Sequence, residues 1–225
     1  MLLYILIVSL NDINYTREAN MTKDENMRLN DFNKISQSYI DDGYTFKEKG
    51  MGILKANLIT FFISIPFFFA SVFLFKLIHK EYDLPSFLFE DKGMLYLIMG
   101  FVVLIIVHEL LHGLTWSIFT PNGINDIAFG FVWKYLTPYA SCRVPLYRCQ
   151  YLLGVLMPFF VLGLIPTVIG FAIGNFFVFL VGIIFILAAG GDLIMAYLIL
   201  SYKKSKQYLF VYDHPTKMAA RFFEK

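Results

Sequence analysis

Apolar residues run along this chain in four long blocks, separated by short polar or turn-forming segments. A helix that spans a bilayer needs about 20 mostly apolar residues. Four stretches reach that length, at about 53–78, 94–119, 151–173 and 176–202. The first reads LITFFISIPFFFASVFLF and carries Pro66, and the third contains Pro158 and Pro166. Proline is tolerated inside a span because neighbouring helices satisfy the backbone groups it frees. The Gly174-Asn175 pair between the last two blocks predicts a tight helical hairpin. The pattern predicts an all-α polytopic membrane bundle of about four transmembrane helices.

Between the second and third blocks the period changes. Ile127, Phe129, Phe131 and Trp133 alternate, and Tyr135, Thr137 and Tyr139 continue the spacing. A period of two is strand-like, with a turn expected near Thr137-Pro138 or around Pro145. A short aromatic β-hairpin after the second span suits the membrane interface. Such a hairpin can offer its edge to an extended peptide, or serve only as an anchor.

Residues 1–10, MLLYILIVSL, are apolar but too short to span. They lack the basic region and small-residue cleavage site of a secretory signal, and Met21 or Met27 is an equally good start. Residues 11–50 are polar and mixed in charge, with Asp41-Asp42 and Lys47-Glu48-Lys49. The expected organisation is therefore a polar, solvated extension over 1–50 with room for one short helix and partly a mis-assigned start. A membrane-embedded domain over 51–217 and a cytoplasmic tail over 218–225 follow.

Composition narrows the class. Of 225 residues, 58% are hydrophobic and 16% charged, against roughly 45–50% and 25% in soluble domains. A soluble domain of this size cannot hide so much apolar surface, and disordered chains are poor in aromatics. The net charge of +2 is too balanced to suggest a nucleic-acid partner. Two cysteines, Cys142 and Cys149, are too few for a disulfide scaffold or a cysteine zinc site.

Basic residues near the span ends set orientation. Lys47, Lys49, Lys55, Lys134, Arg143, Arg148, Lys203, Lys204 and Lys206 fall on one side, and Lys76, Lys80 and Lys92 on the other. With four spans, both termini are expected in the cytoplasm.

The second block contains His108-Glu109-Leu110-Leu111-His112. Residues four apart share a helix face, so both imidazoles can reach one metal ion. Glu109 is then placed to act as general base towards a water on that metal, the zincin arrangement. The plainer alternative is a histidine pair hydrogen-bonded between helices. Yet a buried acid in a span costs on the order of 2–3 kcal/mol, which chelation of a divalent ion offsets.

Catalytic zinc usually takes three protein ligands. Asp192, in AAGGDLIMAY, is the sole charged residue inside the last two blocks. His112 and His108 lie seven and eleven residues before Phe119, and Asp192 lies ten before Tyr202. At 1.5 Å per residue those depths are roughly 10–17 Å and about 15 Å. Gly190-Gly191 allows close helix approach. A lone polar group in the bundle is the alternative for Asp192.

Several blocks in order, namely HELLHGL, FGFVWKYLTPYASCRVPL, LLGVLMPFFVLGLIPTVIG, AAGGDLIMAYLI and YDHPTK, resemble the putative zincin peptidases, small polytopic bacterial membrane proteins. The resemblance covers roughly 53–217. The layout is more distantly similar to the site-2 protease class of intramembrane metalloproteases. It implies His108 and His112 as zinc ligands, Glu109 as base and Asp192 as third ligand. Here that Asp stands in Gly-Gly-Asp-Leu rather than Asn-Pro-Asp-Gly. His214, in Asp213-His214-Pro215, also belongs to the resemblance and is a second candidate for the third ligand.

The expectation is a zinc-dependent intramembrane metallopeptidase of the bacterial cell membrane. It would hydrolyse membrane-protein or peptide substrates with water activated by zinc and Glu109. The alternative is a non-proteolytic polytopic membrane protein, a scaffold, regulator or metal and ion handler, that retains the same polar cluster.

Overall fold

The computed structural model describes residues 23–80, 90–132, 137–203, 208–215 and 217–225. The expectations for residues 1–22, and for Trp133, Lys134 and Tyr135, lie outside them. The described residues form seven α-helices and six strands in chain order. They are α1 (Lys23–Asp41), β1 (Thr45–Gly50), α2 (Ile53–Ile78), α3 (Gly93–Ser117), β2 (Ile127–Val132), β3 (Thr137–Cys142) and β4 (Leu146–Tyr147). Then follow α4 (Arg148–Pro158), α5 (Ile165–Ala172), α6 (Phe176–Ala188), α7 (Gly190–Leu200), β5 (Leu209–Asp213) and β6 (Ala219–Glu224).

Three helical segments are long and apolar enough to cross a membrane: Lys55–Ile78, Gly93–Ser117 and Arg148–Ala172. The third comprises α4, one π-helical stretch over Phe159–Leu164, and α5. Pro158 and Pro166 bracket that stretch, and the Thr167 hydroxyl donates to the Gly163 carbonyl at 2.8 Å. A hydroxyl used in this way re-satisfies backbone disturbed by proline. The fourth expected span is broken: α6 and α7 meet at a 50° bend at Ala189. Counted together they form one span.

The α5–α6 hairpin turns at Gly174, whose φ of 70° suits glycine. Asn175 then caps α6 by accepting from the Val178 N–H at 3.0 Å. His79, at the end of α2, donates from Nε2 to the Phe171 carbonyl at 2.8 Å and closes the same end of the bundle. Most side chains of α2 are exposed, including Phe61, Phe62, Phe69 and Phe73, a surface compatible with lipid.

The described residues are not purely all-α, a correction to the expected class. They contain a four-stranded antiparallel sheet, ordered β1-β6-β5-β4, as well as the hairpin β2-β3. Successive side chains of a strand point to opposite faces. In β5 and β6, Leu209, Val211, Ala220 and Phe222 join the core of the bundle. Tyr212 and Phe223 instead pack with Phe32 of α1, and Phe210 lies against this cluster. The sheet is thus a layer between α1 and the apolar helices.

This layer also changes the reading of both chain ends. Residues 23–50 supply a 19-residue helix and an edge strand, where a solvated extension was expected. Residues 218–225 include β6, paired on both sides, where a tail was expected. Two cations meet at the end of α7. Lys49 of β1 joins the layer to it by donating to the Ser201 hydroxyl at 2.7 Å, and Arg148 ties the start of α4 to it by donating to the Leu200 carbonyl at 2.7 Å.

The expected hairpin is present as β2-β3, but Thr137 and Pro138 pair with β2 as part of β3 instead of forming its turn. It packs on α3 where Gly113 leaves room, since a Cβ there would collide with the ring of Phe129.

Candidate metal centre

His108 and His112 stand one turn apart on α3, and their Nε2 atoms lie 3.2 Å from each other. Asp192 enters from the first turn of α7, just past the bend. Its Oδ2 is 3.2 Å from His108 Nε2 and its Oδ1 is 3.5 Å from His112 Nε2. Helix α7 comes this close to α2 because Gly190 has no side chain; a Cβ there would strike Thr60. The depth match read from the sequence is therefore a contact.

The imidazole of His112 is held on several sides. Its Nδ1 lies 2.8 Å from the Gly154 carbonyl on α4. A carbonyl only accepts, so Nδ1 carries the proton and Nε2 presents its lone pair to the cluster. Trp116, one turn further along α3, stacks on this ring at 5.4 Å and 15°. Its indole N–H donates to the Tyr151 carbonyl at 3.0 Å. Gly154 is required here, because a Cβ would run into that indole. His112 is buried at 5% exposure, so its orientation is fixed by protein contacts.

Glu109 is half-buried and faces the hairpin, where its carboxylate accepts from the Ala140 N–H of β3. The strand pattern explains that donor. Pro138 pairs with Phe131 but has no N–H, so this is a non-hydrogen-bonded pair. Two residues on, Ala140 opposite Phe129 has the same character. Its N–H therefore points away from β2 and towards Glu109.

The three-residue cluster fits a divalent ion such as zinc. Tetrahedral zinc with bonds of about 2.0–2.1 Å separates its ligand atoms by about 3.3–3.4 Å. The two Nε2 atoms lie about one such edge apart at 3.2 Å, and the Asp192 carboxylate meets each of them with a different oxygen, at 3.2 and 3.5 Å. Two imidazoles and one carboxylate are also a donor set that zinc takes in hydrolytic sites. Among the described residues, these three form the group able to hold a metal.

His214 is not part of that group. It is buried in the turn after β5, with its ring 4.9 Å from Phe32 and its backbone N–H bonded to the Ala219 carbonyl. His79 lies at the opposite end of the bundle. Beside the site, Asp213 of β5 accepts from the His214 N–H and the Tyr151 hydroxyl. Burial outweighs those bonds and pushes its carboxyl up to about 7.

The supporting residues were only partly readable in advance. Trp116 continues the four-residue spacing of His108 and His112, which was an available signal. Gly154 and Ala140 contribute backbone atoms, which no side-chain motif marks.

No curated protein and no solved structure matches the chain. Residues 101–206, which carry His108, Glu109, His112, the hairpin and Asp192, match the model of the putative zincin peptidase family, the same family that the sequence blocks resemble.

Proposed function

We propose that this protein is a zinc-dependent metallopeptidase working within the bacterial cell membrane on membrane-protein or peptide substrates. The observation that carries this reading is the convergence of His108, His112 and Asp192, with potential ligand atoms within 4.8 Å of one another and Glu109 beside them. Zinc, when bound, supplies Lewis-acid polarisation of the scissile carbonyl and acidifies water for attack.

The chain's own residues do the remainder. His108 and His112 would hold the ion through Nε2, and Asp192 through a carboxylate oxygen. The Gly154 carbonyl keeps His112 in the required tautomer. Glu109 takes the proton from the attacking water on a carboxylate oxygen and passes it to the leaving amine nitrogen. The outward carbonyl of Ala140 on β3 is left to accept a hydrogen bond from an extended substrate. The apolar helices keep bulk water away from these charges, which strengthens each interaction.

Location within the bilayer is supported by the three apolar helices and the broken fourth. The layer of α1 and the sheet lies at the end of the bundle where Lys49 and Arg148 meet the end of α7. That basic end supports a cytoplasmic position for both terminal segments.

Purified protein tests the reading directly. Wild type is expected to carry about one zinc per chain by mass spectrometry, and His108→Ala none. Membranes from cells with Glu109→Gln are expected to accumulate uncut substrate proteins relative to wild type. A metal-free wild type would sink the proposal. A second reading, a non-proteolytic metal-binding membrane protein, is favoured by the engagement of Glu109 with Ala140 as a structural bond. In that case Glu109→Gln leaves the membrane proteome unchanged.

A further inference from the structure

We infer that Arg28 on α1 is a positioning residue for Glu109, acting through Tyr139 of the hairpin; this rests on the reading of Glu109 as the base. The guanidinium of Arg28 sits 4.5 Å from the centroid of the Tyr139 ring. The same ring lies across Gly130 of β2, where a Cβ would collide with the phenol. Tyr139 is thus held between the backbone of β2 and the cation of α1. The next residue, Ala140, is the one whose N–H meets Glu109.

A two-stranded hairpin has little stability of its own. Its position is set by what packs on it. Helix α3 holds one part through Gly113 and Phe129. The layer outside the family-matched region holds two others. Arg28 grips Tyr139, and the Tyr212 hydroxyl donates to the Arg143 carbonyl at 2.9 Å, just past β3. Helix α1 is anchored for this task by Phe32, which contacts Tyr212 at 4.7 Å and lies under Arg221 at 4.3 Å. A shift of α1 therefore reaches the base through one side chain and one peptide bond.

Hydrogen exchange on the zinc-loaded, detergent-solubilised full chain tests this. Arg28→Ala is expected to speed exchange of the amides of residues 137–142 about tenfold, the size of one lost cation–π contact. Exchange in α3 and α4 and the zinc content stay as in wild type. Arg28→Lys restores much of the protection. Tyr139→Leu reproduces Arg28→Ala. Unchanged hairpin exchange in both Arg28→Ala and Tyr139→Leu would overturn the inference. So would acceleration spread evenly over hairpin, α3 and α4. The measurement needs no turnover, so a protein that binds zinc but cleaves nothing would defeat the proteolytic reading and leave this result legible.

Discussion

His112 gives its Nδ1 proton to the carbonyl of Gly154 on the neighbouring helix, across 2.8 Å. One bond thereby fixes the tautomer of a ligand and joins α3 to α4 at the level of the site. It can exist only because residue 154 lacks a side chain.

Gly154→Ala places a methyl group against the Trp116 indole. Trp116 must move, and the His112 ring stacked on it must follow. Loss of such outer contacts typically weakens metal binding by about 10–100-fold. Competition with a chromophoric chelator measures the change, and wild-type affinity would show that the carbonyl does not orient His112.

Asp192→Asn and His214→Ala separate the two candidates for the third ligand. Asp192 touches both histidines, whereas His214 packs on Phe32. Zinc content is expected to fall steeply in Asp192→Asn and to persist in His214→Ala. The reverse outcome would move the ligand role to the turn after β5.

Glu109→Gln keeps the shape of the side chain and removes its basicity. Metal content is expected to stay at the wild-type level while hydrolysis falls by about 10²–10⁴-fold. A variant that cuts as fast as wild type would show that the base lies elsewhere.

Asp213 predicts a pH effect on the metal-free protein. Its folded carboxyl is raised from 3.8 to about 7 by burial. Between those values the folded state holds more protons than the unfolded one, so stability declines as pH rises. The contribution is fully present below about 4 and is lost as pH passes 7. Chelator-treated wild type should melt at a higher temperature at pH 5 than at pH 8, and Asp213→Asn should flatten that difference. An equal slope in both proteins would exclude Asp213 as its source.

The apolar helices and the candidate ligands were legible in the sequence for one physical reason. Inside an apolar block, each ionisable residue stands out, and His108, Glu109, His112 and Asp192 are such exceptions. The sheet was harder to see. Its strands β5 and β6 are short and apolar on both faces, so LFVYD and AARFFE lack the alternation of a half-buried strand. Likewise α1 looked solvated because few of its residues are apolar. Its docking depends on Phe32, almost fully buried at 1% exposure, and on Tyr39. The bend at Ala189 was hidden because AAGG reads as continuous helix of small residues.

The strand order of the outer layer has a consequence for biogenesis. Strand β6 lies between β1 and β5, and Thr45 pairs with Glu224. Among the described residues, every helix long and apolar enough to cross a membrane is translated between those two partners. A growing chain emerges from its amino end at about 5–20 residues per second, so these helices are all made before β1 can find its neighbour. The layer that grips the hairpin closes last. A chain made only as far as α3 can already possess His108, Glu109 and His112 yet lack the layer that supports their hairpin.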